Sequence, residues 1–190
     1  MKKILTGIVA TIISSSLLAE LSYTSVGIGY RTTDADGIDA SGLQLSGSAA
    51  INDNLFVFGG YTDGEYDDFP VDITGLNFGL GGHTPVSEVT DLVMSVSITD
   101  GEIEGGGESA DLSGFSLSVG FRSEISDAVE LRADVAYVDA EVEALGITVE
   151  NTDTVFSIGA LFDISETIQF NAGFSSGDAD TLGIGFRLNL

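Results

Sequence analysis

Gly114-Phe115-Ser116-Leu117-Ser118-Val119-Gly120-Phe121-Arg122 alternates without a break. Phe115, Leu117, Val119 and Phe121 fall on one side of an extended chain; Ser116, Ser118, Gly120 and Arg122 fall on the other. A period of two sustained over nine residues predicts a β-strand with one apolar face. On either side of it the pattern repeats. Asp91–Asp100 sets Leu92, Met94, Val96 and Ile98 against Val93, Ser95, Ser97 and Thr99. Val129–Tyr137 sets Val129, Leu131, Ala133, Val135 and Tyr137 against Glu130, Arg132, Asp134 and Ala136.

Working outward, further segments of the same kind lie at Leu21–Arg31, Gly42–Ile51, Thr74–Gly82, Thr154–Phe162, Ile168–Ser175 and Leu182–Leu190. Leu55–Tyr61 is ambiguous, because Phe56 and Phe58 compete with Leu55, Val57 and Tyr61 for the apolar face. The count is ten strands, with eight as the alternative. The polar faces consist largely of serine, glycine, threonine, asparagine and arginine, a set that suits a crowded wet lumen. Strands whose other face is apolar and lipid-facing must pair every backbone group, which only a closed cylinder achieves. The predicted class is therefore all-β, a closed antiparallel transmembrane β-barrel.

Two kinds of connection alternate. Short turns are expected at Asn52–Asn54, Thr84–Thr90, Ser123–Ala128 and Asp163–Thr167. Longer, acidic, glycine-bearing loops are expected at Thr32–Ser41, Thr62–Ile73, Gly101–Leu112, Val138–Asp153 and Ser176–Thr181. Short periplasmic turns and longer external loops are the asymmetry of outer-membrane barrels. An even strand count returns both termini to the periplasm.

The start of the chain agrees with export. Lys2 and Lys3, the uncharged run Ile4 to Ile13 and the small residues Ser14 to Ala19 read as a signal peptide over residues 1–19, cleaved after Ala19 with Ser16 as the alternative. Residues 20–190 then form the barrel domain. Cleavage would remove two lysines and no acid, leaving four basic residues against thirty acidic ones. Such a balance excludes nucleic acid as a partner and disfavours unaided attraction to anionic lipid. With no cysteine, disulfides, thiolate metal sites and a lipoprotein anchor are all excluded.

The signal peptide, the run Asn54-Leu55-Phe56-Val57-Phe58-Gly59-Gly60-Tyr61 and the carboxyl end Gly185-Phe186-Arg187-Leu188-Asn189-Leu190 together carry a resemblance. The chain resembles the porin-like superfamily of small outer-membrane β-barrel proteins. The resemblance implies a bacterial outer-membrane location amid lipid and lipopolysaccharide. It also implies that the last strand, Leu182–Leu190, is read by the barrel-assembly machinery. The family usually ends in phenylalanine or tryptophan, and this chain ends in Leu190.

Charged residues supply the candidate sites. Arg31, Arg122, Arg132 and Arg187 all fall on the predicted lumen face, where Glu130 and Asp134 join Arg132. On the lipid face each arginine would cost about 2–4 kcal/mol at mid-bilayer. This cluster either forms a charged constriction that selects small solutes or an ion-paired plug that fills the lumen. Twenty acids fall in the expected external loops or, as Asp100, at their edge. They read either as a solvated, self-repelling surface or as a collar holding Ca²⁺ or Mg²⁺ against lipopolysaccharide phosphates. Asp34, Asp36 and Asp39 are the nearest approach to a calcium loop, without its full ligand spacing.

No enzyme is expected. The only histidine, His83, falls at the periplasmic end of the fourth strand, away from any serine nucleophile at the external mouth. Gly105-Gly106-Gly107 reads as a loop tip, and no cofactor is implied. Three functions follow: a structural or surface-interaction protein of the outer membrane, a narrow porin-like channel, or a secreted acidic β-protein.

Overall fold

A computed structural model of the chain describes residues 23–190 except Asp36. The expected signal peptide and the cation candidate Asp36 lie outside the described residues. The strands are β1 (Ser25–Asp34), β2 (Asp39–Asn52), β3 (Leu55–Tyr66), β4 (Val71–Ser87), β5 (Thr90–Gly105), β6 (Glu108–Ser126), β7 (Val129–Ala144), β8 (Ile147–Asp163), β9 (Ile168–Ser176) and β10 (Asp180–Asn189). Each pairs antiparallel with its sequence neighbours, and β1 pairs β10 from Ser25↔Asn189 to Asp34↔Asp180. The sheet is a closed ten-stranded barrel.

One rim carries both ends of the described chain and the turns at 53–54, 88–89, 127–128 and 164–167. We call it the near rim. Asn52 Oδ1 accepts from the N–H groups of Asn54 and Leu55, at 2.9 and 3.0 Å. The Oγ atoms of Ser87, Ser126 and Ser165 cap the other three turns in the same way. A side-chain oxygen that takes the turn's own N–H groups is a local signal for tight reversal.

At the far rim the expected long loops shrink to connections of two to four residues. Gly106 and Gly107 have φ of 65° and 85°, and Leu145 and Gly146 have φ of 54° and 74°. Two successive positive φ values make the two-residue turn that matches strand twist, so pairing runs on to the tip. Strands β5 to β8 therefore extend through most of what the sequence marked as loop. Sixteen of the twenty acids assigned to loops lie on strands.

The glycines of the lumen face have a packing reason. Phe56 and Phe58 both point inward, which resolves the ambiguity in β3, and their exposures are 2% and 3%. Their rings lie flat over Gly81 and Gly79 on the adjacent strand, where any side chain would collide. A Cβ on Gly79 would sit 2.2 Å from Phe58 Cζ and 2.6 Å from the Val96 carbonyl oxygen. Gly79→Ala is therefore expected to destabilise the barrel by about 1–3 kcal/mol through overpacking. Urea unfolding of the variant in detergent checks this.

Candidate functional site in the barrel lumen

The outer surface divides into two zones along the strands. Through the middle it is apolar: Leu76, Phe78, Ile98, Leu117 and Phe156 are between 51% and 64% exposed. Tyr30, Tyr61 and Tyr137 mark the far edge of this belt, and acids or threonine follow at Thr32, Asp63 and Asp139. Near its other edge Phe162, Phe170 and Phe186 touch in sequence, with centroids 6.2 and 5.7 Å apart. An apolar band bounded by aromatic rings, on a cylinder with no free edge at that level, matches a lipid bilayer and not water. This is the fold of an outer-membrane β-barrel.

No family model and no curated protein matches the sequence. Among solved structures, the translocator domain of the autotransporter NalP from Neisseria meningitidis is 10% identical with a TM-score of 0.48, covering 99% of this chain and 94% of that one. The KdgM porin is 9% identical with a TM-score of 0.45, over 86% and 99% of the two chains. Ail, the attachment invasion locus protein of Yersinia pestis, is 17% identical with a TM-score of 0.36, over 87% and 97%.

Along the barrel axis the lumen has three storeys. Nearest the near rim, Arg122 donates through Nε and Nη2 to Glu130 Oε1 and Oε2 at 2.6 and 2.8 Å. Arg122 also lies over the Tyr23 ring, 5.2 Å from its centroid. The Tyr23 hydroxyl donates to Asp91 Oδ2 at 2.9 Å, and His83 Nδ1 is bonded to the same oxygen at 2.9 Å. Tyr23 stacks on His83 and Phe56, with centroids 3.7 and 4.8 Å apart. With Phe58 and Val93, these groups make a buried aromatic and ionic cluster.

The middle storey is polar. Arg31, Arg132, Arg187, Gln44, Asn171 and Ser157 line a cavity of about 60 Å³. Arg31 donates to Gln44 Oε1. Arg132 lies across Gly159, where a Cβ would come 2.6 Å from Nε. Asp134 accepts a hydrogen bond from Ser157. Hydroxyl pairs tie neighbouring strands along the lumen wall: Ser95 with Ser118 at 2.7 Å, Ser97 with Ser116 at 2.8 Å, and Thr33 with Thr181 at 3.0 Å.

The far storey reverses the chemistry of the two faces without any change of register. On β7 the inward residues pass from Glu130, Arg132 and Asp134 to Ala136, Val138, Ala140 and Val142, while the outward ones pass from Leu131 and Tyr137 to Asp139, Glu141 and Glu143. Ile73, Leu112, Val138 and Val155 form a second core at 1–4% exposure, with Tyr66, Ile103, Val142 and Val149 packed against it. Burial there pushes the Tyr66 hydroxyl up to about 12.

The structure thus divides the six charged residues singled out from sequence. Arg122 and Glu130 belong to the near cluster, Arg31, Arg132 and Arg187 to the cavity, and Asp134 reaches Ser157 beside it. Of the cation candidates, Asp34 Oδ1 accepts from the Gly37 N–H at 2.8 Å, an ordinary turn contact, while Asp34 and Asp39 face each other across the β1–β2 hairpin. Among the described residues no three His, Asp or Glu side chains are grouped to hold a metal. The far-storey acids instead face one another across strands, as in Glu65↔Asp72, Glu102↔Asp111 and Glu141↔Glu150.

Sequence reasoning missed the Tyr23–His83–Asp91 group and the far apolar core. Tyr23 precedes the first strong alternation. The core residues lie in segments dense enough in acids to read as loops.

Proposed function

We propose that this protein is an integral outer-membrane barrel with a structural or surface-interaction role and a lumen that does not conduct. The single observation that carries the reading is the pair of seals. An aromatic and ionic group fills the lumen near one rim and an apolar core fills it near the other. The near rim is periplasmic in this reading, together with both termini, and the far rim faces outward.

What the barrel offers outside is a stiff acidic surface. Strands β5 to β8 rise beyond the belt with carboxylates on their outer faces. Register between β8 and β9 begins only at Phe156↔Ser176, so β8 from Ile147 to Val155 has no β9 partner. An extended strand edge of this kind pairs readily with another chain, and the acids beside it favour a cationic one. Catalysis has no part in this reading, because His83 is held by Asp91 and Tyr23 at the periplasmic end.

The natural chain has no cysteine, so single cysteines report on orientation. Glu104→Cys, near the far tip of β5, is expected to react with an impermeant maleimide on intact cells. Asn54→Cys, in a near-rim turn, is expected to react only after the outer membrane is permeabilised. The reverse pattern contradicts the orientation. A narrow channel is the second reading, favoured by the arginine-lined cavity, and steady conductance is its signature.

A further inference from the structure

We infer that the uncovered edge of β8 receives, as an added antiparallel strand, a segment of another protein in which basic and apolar residues alternate; this rests on the surface-interaction role proposed above. The edge has a definite length. β9 meets β8 only from Phe156↔Ser176 onward. The turn after β9 closes the next step, where Asp178 N–H donates to Asp153 Oδ2 at 2.9 Å and Thr154 N–H donates to Asp153 Oδ1 at 2.6 Å. The stretch that stays open runs from Ile147 to Thr152.

Backbone geometry decides which groups that stretch offers. Leu145 and Gly146 form a two-residue turn, so Ala144 and Ile147 are the first hydrogen-bonded pair of the β7–β8 ladder. Pairs alternate from there, and at Thr148, Glu150 and Thr152 the N–H and C=O groups turn away from β7. This is the ladder of a sheet edge, which a second extended chain completes.

The side chains flanking the edge set the partner's chemistry. On the outer face Glu150 lies directly opposite Glu141, with Asp139 and Glu143 on the diagonals. Like charges facing each other across a ladder weaken it, and a lysine or arginine on the other side of Glu150 offsets that repulsion. The inner face is different. Val149 packs against the far apolar core, Ile147 is 67% exposed, and Asn151 Nδ2 is buried with no hydrogen-bond partner. An added strand therefore gains from apolar residues opposite Ile147 and Val149 and from a base opposite Glu150. Leu145 extends the apolar contact to the tip. It is 80% exposed at φ of 54°, in a turn position that glycine, asparagine or aspartate fills without strain.

A second copy of this chain fits the edge poorly. Pairing β8 with β8 sets Glu150 and the β7 acids of one copy against those of the other, in a chain whose formal charge is −24.

The test uses the full barrel folded in zwitterionic detergent and a fluorescein-labelled peptide of alternating valine and lysine, followed by anisotropy. The expected result is saturable one-site binding. It weakens at least tenfold when the peptide is N-methylated at its lysine amides, which face β8 once lysine stands opposite Glu150. It weakens as much in Thr152→Pro, whose lost N–H points away from β7 and leaves the β7–β8 ladder whole. Glu150→Lys weakens it at least fivefold, and Glu102→Gln, on β5, leaves it within twofold. No saturable binding overturns the inference. Equal affinity for the N-methylated peptide overturns it too, because the acidic surface then attracts charge without adding a strand. A barrel that dimerises without peptide, and loses the dimer in Thr152→Pro, assigns the edge to a second copy and overturns it as well. If Thr152→Pro does not fold, the N-methylated peptide on the parent protein decides. The role on which the inference rests fails separately, by reversed maleimide labelling or steady conductance, and peptide binding in detergent depends on neither.

Discussion

Replacing Glu130 with alanine is expected to destabilise the barrel by about 3–5 kcal/mol, among the largest single effects in the molecule. Arg122 and Glu130 meet through two short hydrogen bonds with side-chain exposures of 6% and 7%. Removing the carboxylate takes the bidentate partner from a guanidinium whose side chain is 6% exposed. It also loosens Arg122 over Tyr23, and through Tyr23 the contacts to Asp91 and His83. Replacing both partners with apolar residues, Arg122→Met with Glu130→Leu, is expected to recover much of the loss, since no charge is then stranded. Denaturant unfolding of the singles and the double, read as a double-mutant cycle, measures the coupling. A cost below about 1 kcal/mol for Glu130→Ala would mean that the pair is solvated and the near rim open.

The second large effect concerns the belt. Leu117 points outward at the middle of β6 and is 51% exposed. In water an arginine there would be harmless; in a bilayer it costs about 2–4 kcal/mol near the midplane. Ser113 lies on the same face of the same strand, four residues further out, beyond Phe115. Ser113→Arg is expected to change stability by no more than about 0.5 kcal/mol. The difference between two arginines on one strand face locates the hydrocarbon boundary. The folded fraction, read from the mobility of boiled and unboiled samples in gels after refolding into liposomes, reports both variants. Equal behaviour of Leu117→Arg and Ser113→Arg would place the belt in water.

The barrel was legible because its middle zone is chemically simple. In β6 every outward residue from Phe115 to Phe121 is large and apolar, and every inward one from Ser116 to Arg122 is small or polar. Local alternation and lipid exposure then agree, and ten such segments close. The far storey was misread for a definite reason. Val138-Asp139-Ala140-Glu141-Val142-Glu143-Ala144 is as regular as Gly114–Arg122, but the apolar residues now face inward and the acids outward. A reading that follows the apolar face stops at Tyr137 and assigns the rest to a loop. The alternation itself runs on, because a strand leaving the bilayer exchanges its surroundings and keeps its geometry.

The near seal was hidden in another way. Tyr23 is far in sequence from His83 and Asp91, and the lone His83, which does stand out, shows neither partner in its own segment. Barrel closure brings them to one level: Tyr23 sits just before β1, His83 near the end of β4 and Asp91 at the start of β5. The arginines lay within reach of sequence, because only the inward face tolerates them. Their division between a sealed pair and a cavity depends on register around the barrel, which one strand's pattern does not contain.

A lumen closed at both ends is the claim on which the functional reading rests, and planar-bilayer recording of the refolded protein tests it most directly. The account predicts a membrane that stays electrically silent after insertion, with stepwise openings only when the far seal is loosened by Leu112→Gly together with Val138→Gly. Steady conductance from the unaltered chain, altered in selectivity by Arg132→Ala, would contradict it.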